Sequence, residues 1–160
     1  MTTFVTSSTL DSTFNATLAT LTASQALSNK TLKTTKEAVT ITNTAATGIL
    51  NFDVATQAIS VYNTATANFS VNLRGSSTVP LSSVLATGES IGICMIVPKS
   101  TVGYYLTSIS IDGVAQTIKY QGGAAFTVGN PSSTDMYNIF VIRTGTTTYL
   151  VYLSQTKYSA

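Results

Sequence analysis

The chain has 160 residues, enough for one domain with a sizeable core, but only eight Lys or Arg and six Asp or Glu. It contains no His, no Trp and one Cys, whereas 30 Thr and 19 Ser make up nearly a third of it. This inventory excludes a Ser-His-Asp triad and a His- or Cys-ligated zinc site, and a formal net charge of +2 argues against a nucleic-acid partner. With 44% hydrophobic residues, the chain is expected to fold.

Residues 1–36 form a Thr/Ser-rich N-terminal arm, with 16 Thr or Ser and neither Gly nor Pro. Two conformations stay open: a short coiled-coil helix with Phe14, Leu18 and Leu21 on its seam, or an extended arm ordered by contact with other chains. In either case the arm cannot bury enough apolar surface alone, which predicts a role in anchoring or oligomerisation.

Three lysines of the arm, Lys30, Lys33 and Lys36, give it a local positive charge. They are candidate docking residues for an acidic patch on a larger shell, and the alternative is a solvated stretch that keeps the chain soluble. No signal peptide is visible, and the longest apolar run, residues 91–97, is too short to span a bilayer. We therefore expect a protein made in a cytoplasm, with no membrane partner.

The pattern changes to β from Glu37 onward. Residues 67–74 alternate apolar and polar side chains, which is typical of a strand with one wet face. Asp112-Gly113 predicts a two-residue hairpin turn, Thr144-Gly145 a second hairpin, and the spacing of Leu81, Val84 and Leu85 a short helical turn. Further strands are predicted at 38–42, 48–53, 57–62, 90–97, 105–112, 114–119, 136–143 and 147–153. Residues 37–160 are therefore predicted to form an all-β domain, a jelly-roll-like β-sandwich.

Few side chains are available for chemistry. Of the carboxylates, Asp112 is assigned to its turn, and Asp53, Glu89 and Asp135 are expected in turns or caps rather than in a catalytic pair. Cys94 has no mate for an internal disulfide and lies in an apolar run, so it is interpreted as a residue of a strand interior. Gly122-Gly123 is interpreted as a bend. We predict no catalytic residue, no metal and no cofactor.

Tyrosines are the candidate contact residues. Tyr104 and Tyr105, with Asn130 in the following Gly- and Ser-rich stretch, are predicted to meet a receptor or a glycan, since Tyr offers a flat apolar face and a polar tip. The alternative is that these tyrosines pack within a sheet. A neutral Thr/Ser/Asn surface without edge lysines favours a subunit whose strand edges are covered by neighbours.

Several strings carry a resemblance to a known group of proteins. They are TNTAATGILNFDV at 42–54, NFSVNLRGSS at 68–77, ATGESI at 86–91, KYQGG at 119–123 and SQTKY at 154–158. Together they resemble a domain of virion structural proteins from marine tailed phages, especially cyanophages. QALSNKTL at 25–32 is similar to an element of phage fibre and appendage proteins.

The resemblance implies a non-enzymatic location on the virion surface. The chain is too short for a fibre shaft, which favours a capsid decoration or knob protein held by its arm, with phage capsid or tail proteins as partners. The alternative is a tail-fibre or tail-appendage tip that binds a host-surface receptor or glycan. Phage appendages of this sort are commonly trimers, so a homo-oligomer, first a homotrimer, is expected.

Overall fold

The structure is a computed structural model, and it describes residues 36–37, 39–98 and 100–159. The predicted arm, residues 1–36, lies outside the described residues except for Lys36. The described residues contain ten strands and one 3₁₀ turn. The strands are β1 Val39–Ile41, β2 Ala45–Asp53, β3 Ile59–Val61, β4 Thr64–Arg74, β5 Ser90–Pro98, β6 Leu106–Ile111, β7 Val114–Ala115, β8 Ile118–Tyr120, β9 Thr134–Arg143 and β10 Tyr149–Tyr158, and the 3₁₀ turn is Leu81–Ser83.

The strands form two sheets. One has six strands in the order β1-β3-β5-β9-β10-β8, and the other has four in the order β2-β4-β6-β7. From β1 to β6, consecutive strands alternate between the two sheets, so each strand pairs in parallel with the strand two places along the chain. Antiparallel pairs occur where β9 joins β5 and β10, and where β7 joins β6.

The predicted all-β class is confirmed, because the described residues form two sheets with no helix beyond the 3₁₀ turn. The jelly-roll connectivity is not confirmed. A jelly roll is an antiparallel architecture, whereas five of the eight strand pairings described here are parallel.

The hydrophobic core lies between the two sheets. It takes alternate residues from the inner face of each, and the rings of Phe69 on β4 and Tyr137 on β9 meet edge to face, with centroids 5.7 Å apart. Because strand side chains alternate, these buried positions also fix which residues point outward from each sheet.

Both predicted hairpins and the helical turn are confirmed, but the connection between β9 and β10 spans residues 144–148 rather than Thr144-Gly145 alone. Asp112 and Gly113 take positive φ angles of 50° and 81°, as a two-residue hairpin turn between β6 and β7 requires. The Asp112 carboxylate also accepts the amide of Leu81, at 2.9 Å and 3.0 Å to its two oxygens, and so holds the start of the 3₁₀ turn. Arg143 donates to the carbonyls of Ser82 and Leu85 on the other side of that turn.

One predicted strand, 114–119, is wrong in extent. The structure divides it into β7, which pairs with β6 in the four-stranded sheet, and β8, which pairs in parallel with β10 in the six-stranded sheet. Apolar residues recur on both sides of the break, so periodicity alone does not reveal that the chain crosses from one sheet to the other between Ala115 and Ile118.

Candidate functional site

The two loops that carry the predicted contact residues lie side by side at one end of the sandwich. One is residues 100–105, before β6, and the other is residues 121–133, before β9; together we call them the loop end. The amide of Gly129 donates to the carbonyl of Gly103 at 2.8 Å. A side chain at Gly129 would meet the Tyr104 carbonyl oxygen at 2.2 Å, so the close approach of the two loops requires glycine there.

Tyr104, Tyr105 and Asn130 are built into the loop end. Both tyrosines are half-buried and pack against the core, but from a loop rather than from within a sheet. The amide of Tyr105 donates to Oδ1 of Asn68 at 3.1 Å, and the side-chain amide of Asn130 donates to the carbonyl of Tyr158 at 2.9 Å. Their contact with a receptor or a glycan stays a prediction.

A buried carboxylate, that of Asp135, accepts a hydrogen bond from the loop end. Its Oδ2 accepts a hydrogen bond from Gln155 Nε2 at 2.7 Å, from the Tyr137 hydroxyl at 3.1 Å and from the backbone amide of Asn130 at 3.2 Å. Burial raises the pKa of Tyr137 far above its ordinary value, and the negative charge of Asp135 raises it further. Tyr137 therefore stays a protonated donor to Asp135.

The expectation that Asp135 occupies a turn or a cap is wrong in part. Asp135 lies inside β9 and is 0% exposed, so it has no surface to offer a substrate. It still accepts the Asn130 amide of the adjoining loop, as a cap does. Gln155, 20 positions away on the neighbouring strand, contributes the donor that makes burial of the charge tolerable.

The other charged side chains with hydrogen bonds also serve the fold. Arg74 Nε contacts Asp53 Oδ1 at 2.5 Å across β2 and β4, and Glu89 Oε2 accepts the Ala86 amide at 2.7 Å in its loop.

Within the described residues, no group of three or more His, Cys, Asp or Glu side chains is placed to hold a metal ion. Lys30 and Lys33 lie outside the described residues, and Lys36 is exposed just before β1.

A concavity lined by hydroxyl groups lies beside the loop end. Its volume is about 640 Å³, and it is wide open to solvent. The Ser133 hydroxyl donates to the carbonyl of Tyr158 at its wall, next to the bond from Asn130. The lining residues are Pro98, Ser100, Thr101, Ser132, Ser133, Thr134, Tyr158 and Ser159.

The outward side of the four-stranded sheet is polar, and we call it the polar face. Asn72 at its centre donates to Asn51 at 3.0 Å and accepts from the Ser110 hydroxyl at 3.1 Å and from the Gly113 amide at 2.8 Å. The pair of Asp53 and Arg74 continues this row, and Ile49 is an exposed apolar residue on it. This face agrees with the neutral, wet surface expected from the Ser and Asn content.

The outward side of the six-stranded sheet is different, and we call it the apolar face. Phe140 at its centre is 43% exposed, and its cross-strand neighbour Tyr152 is 40% exposed. Cys94, half-buried in the central strand β5, points to this side between the buried Ile93 and Met95. The apolar members of the face are Val39, Ile41, Ile59, Val61, Cys94, Ile96, Met136, Phe140, Ile142, Leu150 and Tyr152.

Two shallow grooves flank Phe140 on the apolar face. One, of about 230 Å³, lies between Phe140, Tyr152 and Lys119. The other, of about 270 Å³, lies between Phe140, Gly92, Cys94 and Ile59 and is bordered by Glu37. Gly92 is paired with Phe140 across β5 and β9, so no side chain covers the ring from that strand.

The apolar face was not predicted from the sequence, although the sequence contains a signal for it. Residues 91–97 and 136–142 are apolar on nearly every position, whereas 67–74 alternates. A strand that is apolar on both sides is typical of a strand covered on both sides. With the core on one side, the apolar run around Cys94 places apolar side chains on the other side as well.

Comparison with known proteins finds no matching family model, no matching curated protein and no matching solved structure. In the part of the chain that the structure describes, no helix has the length and hydropathy needed to cross a membrane.

Proposed function

We propose that this chain is a non-enzymatic structural protein on the surface of a phage virion, where it serves as a capsid decoration or knob protein. The observation that carries the proposal is the use of its few charges. Asp53, Asp112, Asp135, Arg74 and Arg143 all bind groups of the fold itself, and Asp135 is fully buried. Carboxylates and arginines that bind groups of the fold itself suit the chain to shape-based contact rather than to proton transfer.

The resemblance of residues 42–54 and 68–77 to marine-phage virion proteins supports the location on a particle. The apolar face supports an assembled state, because a soluble monomer rarely exposes a contiguous apolar patch of more than a few hundred Å². Anchoring through the arm and its lysines, Lys30, Lys33 and Lys36, is part of the proposal, with a capsid or tail protein as the partner.

The experiment is immunogold electron microscopy with an antibody against this chain, applied to purified particles from the lysate that yields it. The expected result is dense labelling of the head and, by quantitative mass spectrometry, a copy number comparable to that of the major shell protein. Particles that lack the chain would contradict the proposal. Labelling of the tail alone, at a small multiple of the tail symmetry, would support the alternative below.

The second candidate is a tail-fibre or tail-appendage tip that binds a host-surface glycan. The hydroxyl-lined concavity beside Asn130 and Tyr158 favours it, because sugars are bound by hydroxyl groups together with an aromatic ring. Binding of the purified chain to host cells, lost when Tyr158 is replaced by Ala, would support this function. The same binding in Tyr158→Ala would place any receptor site elsewhere.

A further inference from the structure

We infer that the apolar face is the contact surface for a second copy of this chain, paired face to face about a twofold axis that runs parallel to the strands. The inference deepens the proposed function, on which it rests, by naming the partner of one surface. The extent of the apolar face, the charges at its margins and the shape around Phe140 support it.

The extent of the face meets the size that a specific contact needs. Three long strands, β5, β9 and β10, cross it with 9, 10 and 10 residues, and three short strands flank them. At a spacing of about 4.8 Å between strands and about 3.3 Å per residue, the whole outward side of the sheet, which includes the polar residues Asn138, Ser154 and Thr156, covers roughly 600 Å² per copy. Two copies would bury roughly 1,200 Å², the lower end of the range for specific interfaces.

The charges at the margins favour a second copy over an unrelated partner. Lys119 lies on β8, at one lateral edge of the sheet, and Glu37, which follows the exposed Lys36, precedes β1 at the opposite edge. A twofold axis parallel to the strands lays the β8 edge of each copy over the β1 edge of the other. Each Lys119 then approaches Glu37 of the partner copy, so the two opposite charges are matched twice.

The shape around Phe140 is also suited to a symmetric contact. The ring stands between the groove that contains Lys119 and the groove that Glu37 borders. Because the twofold axis exchanges the two grooves, the Phe140 ring of each copy is placed against the groove beside Gly92 of the other. An exposed aromatic residue at the centre of an apolar surface is the usual position of an anchor residue.

The test measures the mass of the full-length chain in solution by sedimentation equilibrium over a series of concentrations. We expect a species of twice the 16.7 kDa chain mass, with association weakened about tenfold or more in Phe140→Asp. The matched control is Ile49→Asp, which introduces the same charge at an exposed apolar residue of the polar face and should leave the association unchanged. Circular dichroism confirms that each variant is folded, and Tyr152→Lys repeats the test should Phe140→Asp not fold.

The single Cys adds a second readout, because Cys94 lies in the groove beside Phe140. Pairing should slow its modification by a thiol reagent in the wild type at concentrations that populate the pair, relative to lower concentrations. A wild type that is a single chain or three chains would overturn the inference. So would association that is unchanged in Phe140→Asp, or a Cys94 labelling rate constant that does not depend on protein concentration. These results do not depend on whether particles contain the chain, so failure of this contact and failure of the proposed function are distinguishable.

Discussion

The polar face and the apolar face are made from the same extended backbone and cover the same core from opposite sides. On the polar face, Asn51, Asn72 and Ser110 bond to one another across three strands, and their hydrogen-bonding groups need no further partner chain. On the apolar face, Phe140 and Tyr152 present rings to water without such bonds between strands. The difference shows that the Ser- and Asn-rich composition describes only one side of the sandwich, and that the other side exposes apolar side chains.

The largest expected effect is a difference in the loss of stability between substitutions on the two sides of β9. Ile139 points into the core and is 1% exposed, whereas its neighbour Phe140 points out to the apolar face. Ile139→Ala should lower the free energy of unfolding by about 2–5 kcal/mol because it leaves a cavity. Phe140→Ala should lower the stability of the monomer far less and should weaken association. Urea unfolding at low protein concentration measures the loss of stability in each variant, and sedimentation equilibrium measures association in Phe140→Ala. Equal losses of stability would show that Phe140 belongs to the core.

A smaller effect is expected at the centre of the polar face. Asn72→Ala removes three hydrogen bonds, to Asn51, Ser110 and Gly113, and should lower the free energy of unfolding by about 1–2 kcal/mol without changing the mass in solution. Asn51→Ala, which removes only its bond to Asn72, is the control and should cost less. Weakened association in Asn72→Ala would show that the polar face is also a contact surface.

The pair of Asp53 and Arg74 should contribute less still, since both side chains are in contact with solvent. Arg74→Gln is expected to lower the thermal midpoint slightly, and the difference should shrink as salt is added because salt screens the two charges. Calorimetry at low and high ionic strength measures this. A difference that persists at high salt would mean that the packing of the Arg74 side chain, rather than its charge, supplies the contribution.

The smallest expected effect is on the reactivity of the Cys94 thiol rather than on the stability of the fold. Burial raises the pKa of the Cys94 thiol, so less of the reactive thiolate is present at any given pH than for a free thiol. The pH profile of labelling in the wild type, at a concentration low enough for single chains, should therefore lie at higher pH than that of a small thiol, and should return to the ordinary range in denaturant. A profile at or below the ordinary range in the folded protein would contradict the burial of Cys94.

Local patterns were sufficient for the strands and turns but not for their arrangement. The alternation in 67–74 and the turn residues Asp112 and Gly113 depend on near neighbours, and both predictions are confirmed. The pairing of Ile59 with Cys94 depends on residues far apart in the chain, so neither the parallel order nor the crossing after Ala115 could be derived from periodicity. The buried position of Asp135 was missed for the same reason, since its donor Gln155 comes from another strand.

The place of β9 in the six-stranded sheet determines when this sheet can be completed as the chain leaves the ribosome. β5 takes β3 on one side and β9 on the other, and Ser90 pairs with Ile142. A nascent chain that ends before Thr134 has a long apolar strand with one open edge. Since ribosomes add only about 5–20 residues per second, that edge stays open for seconds, which is when a chaperone would have most to protect.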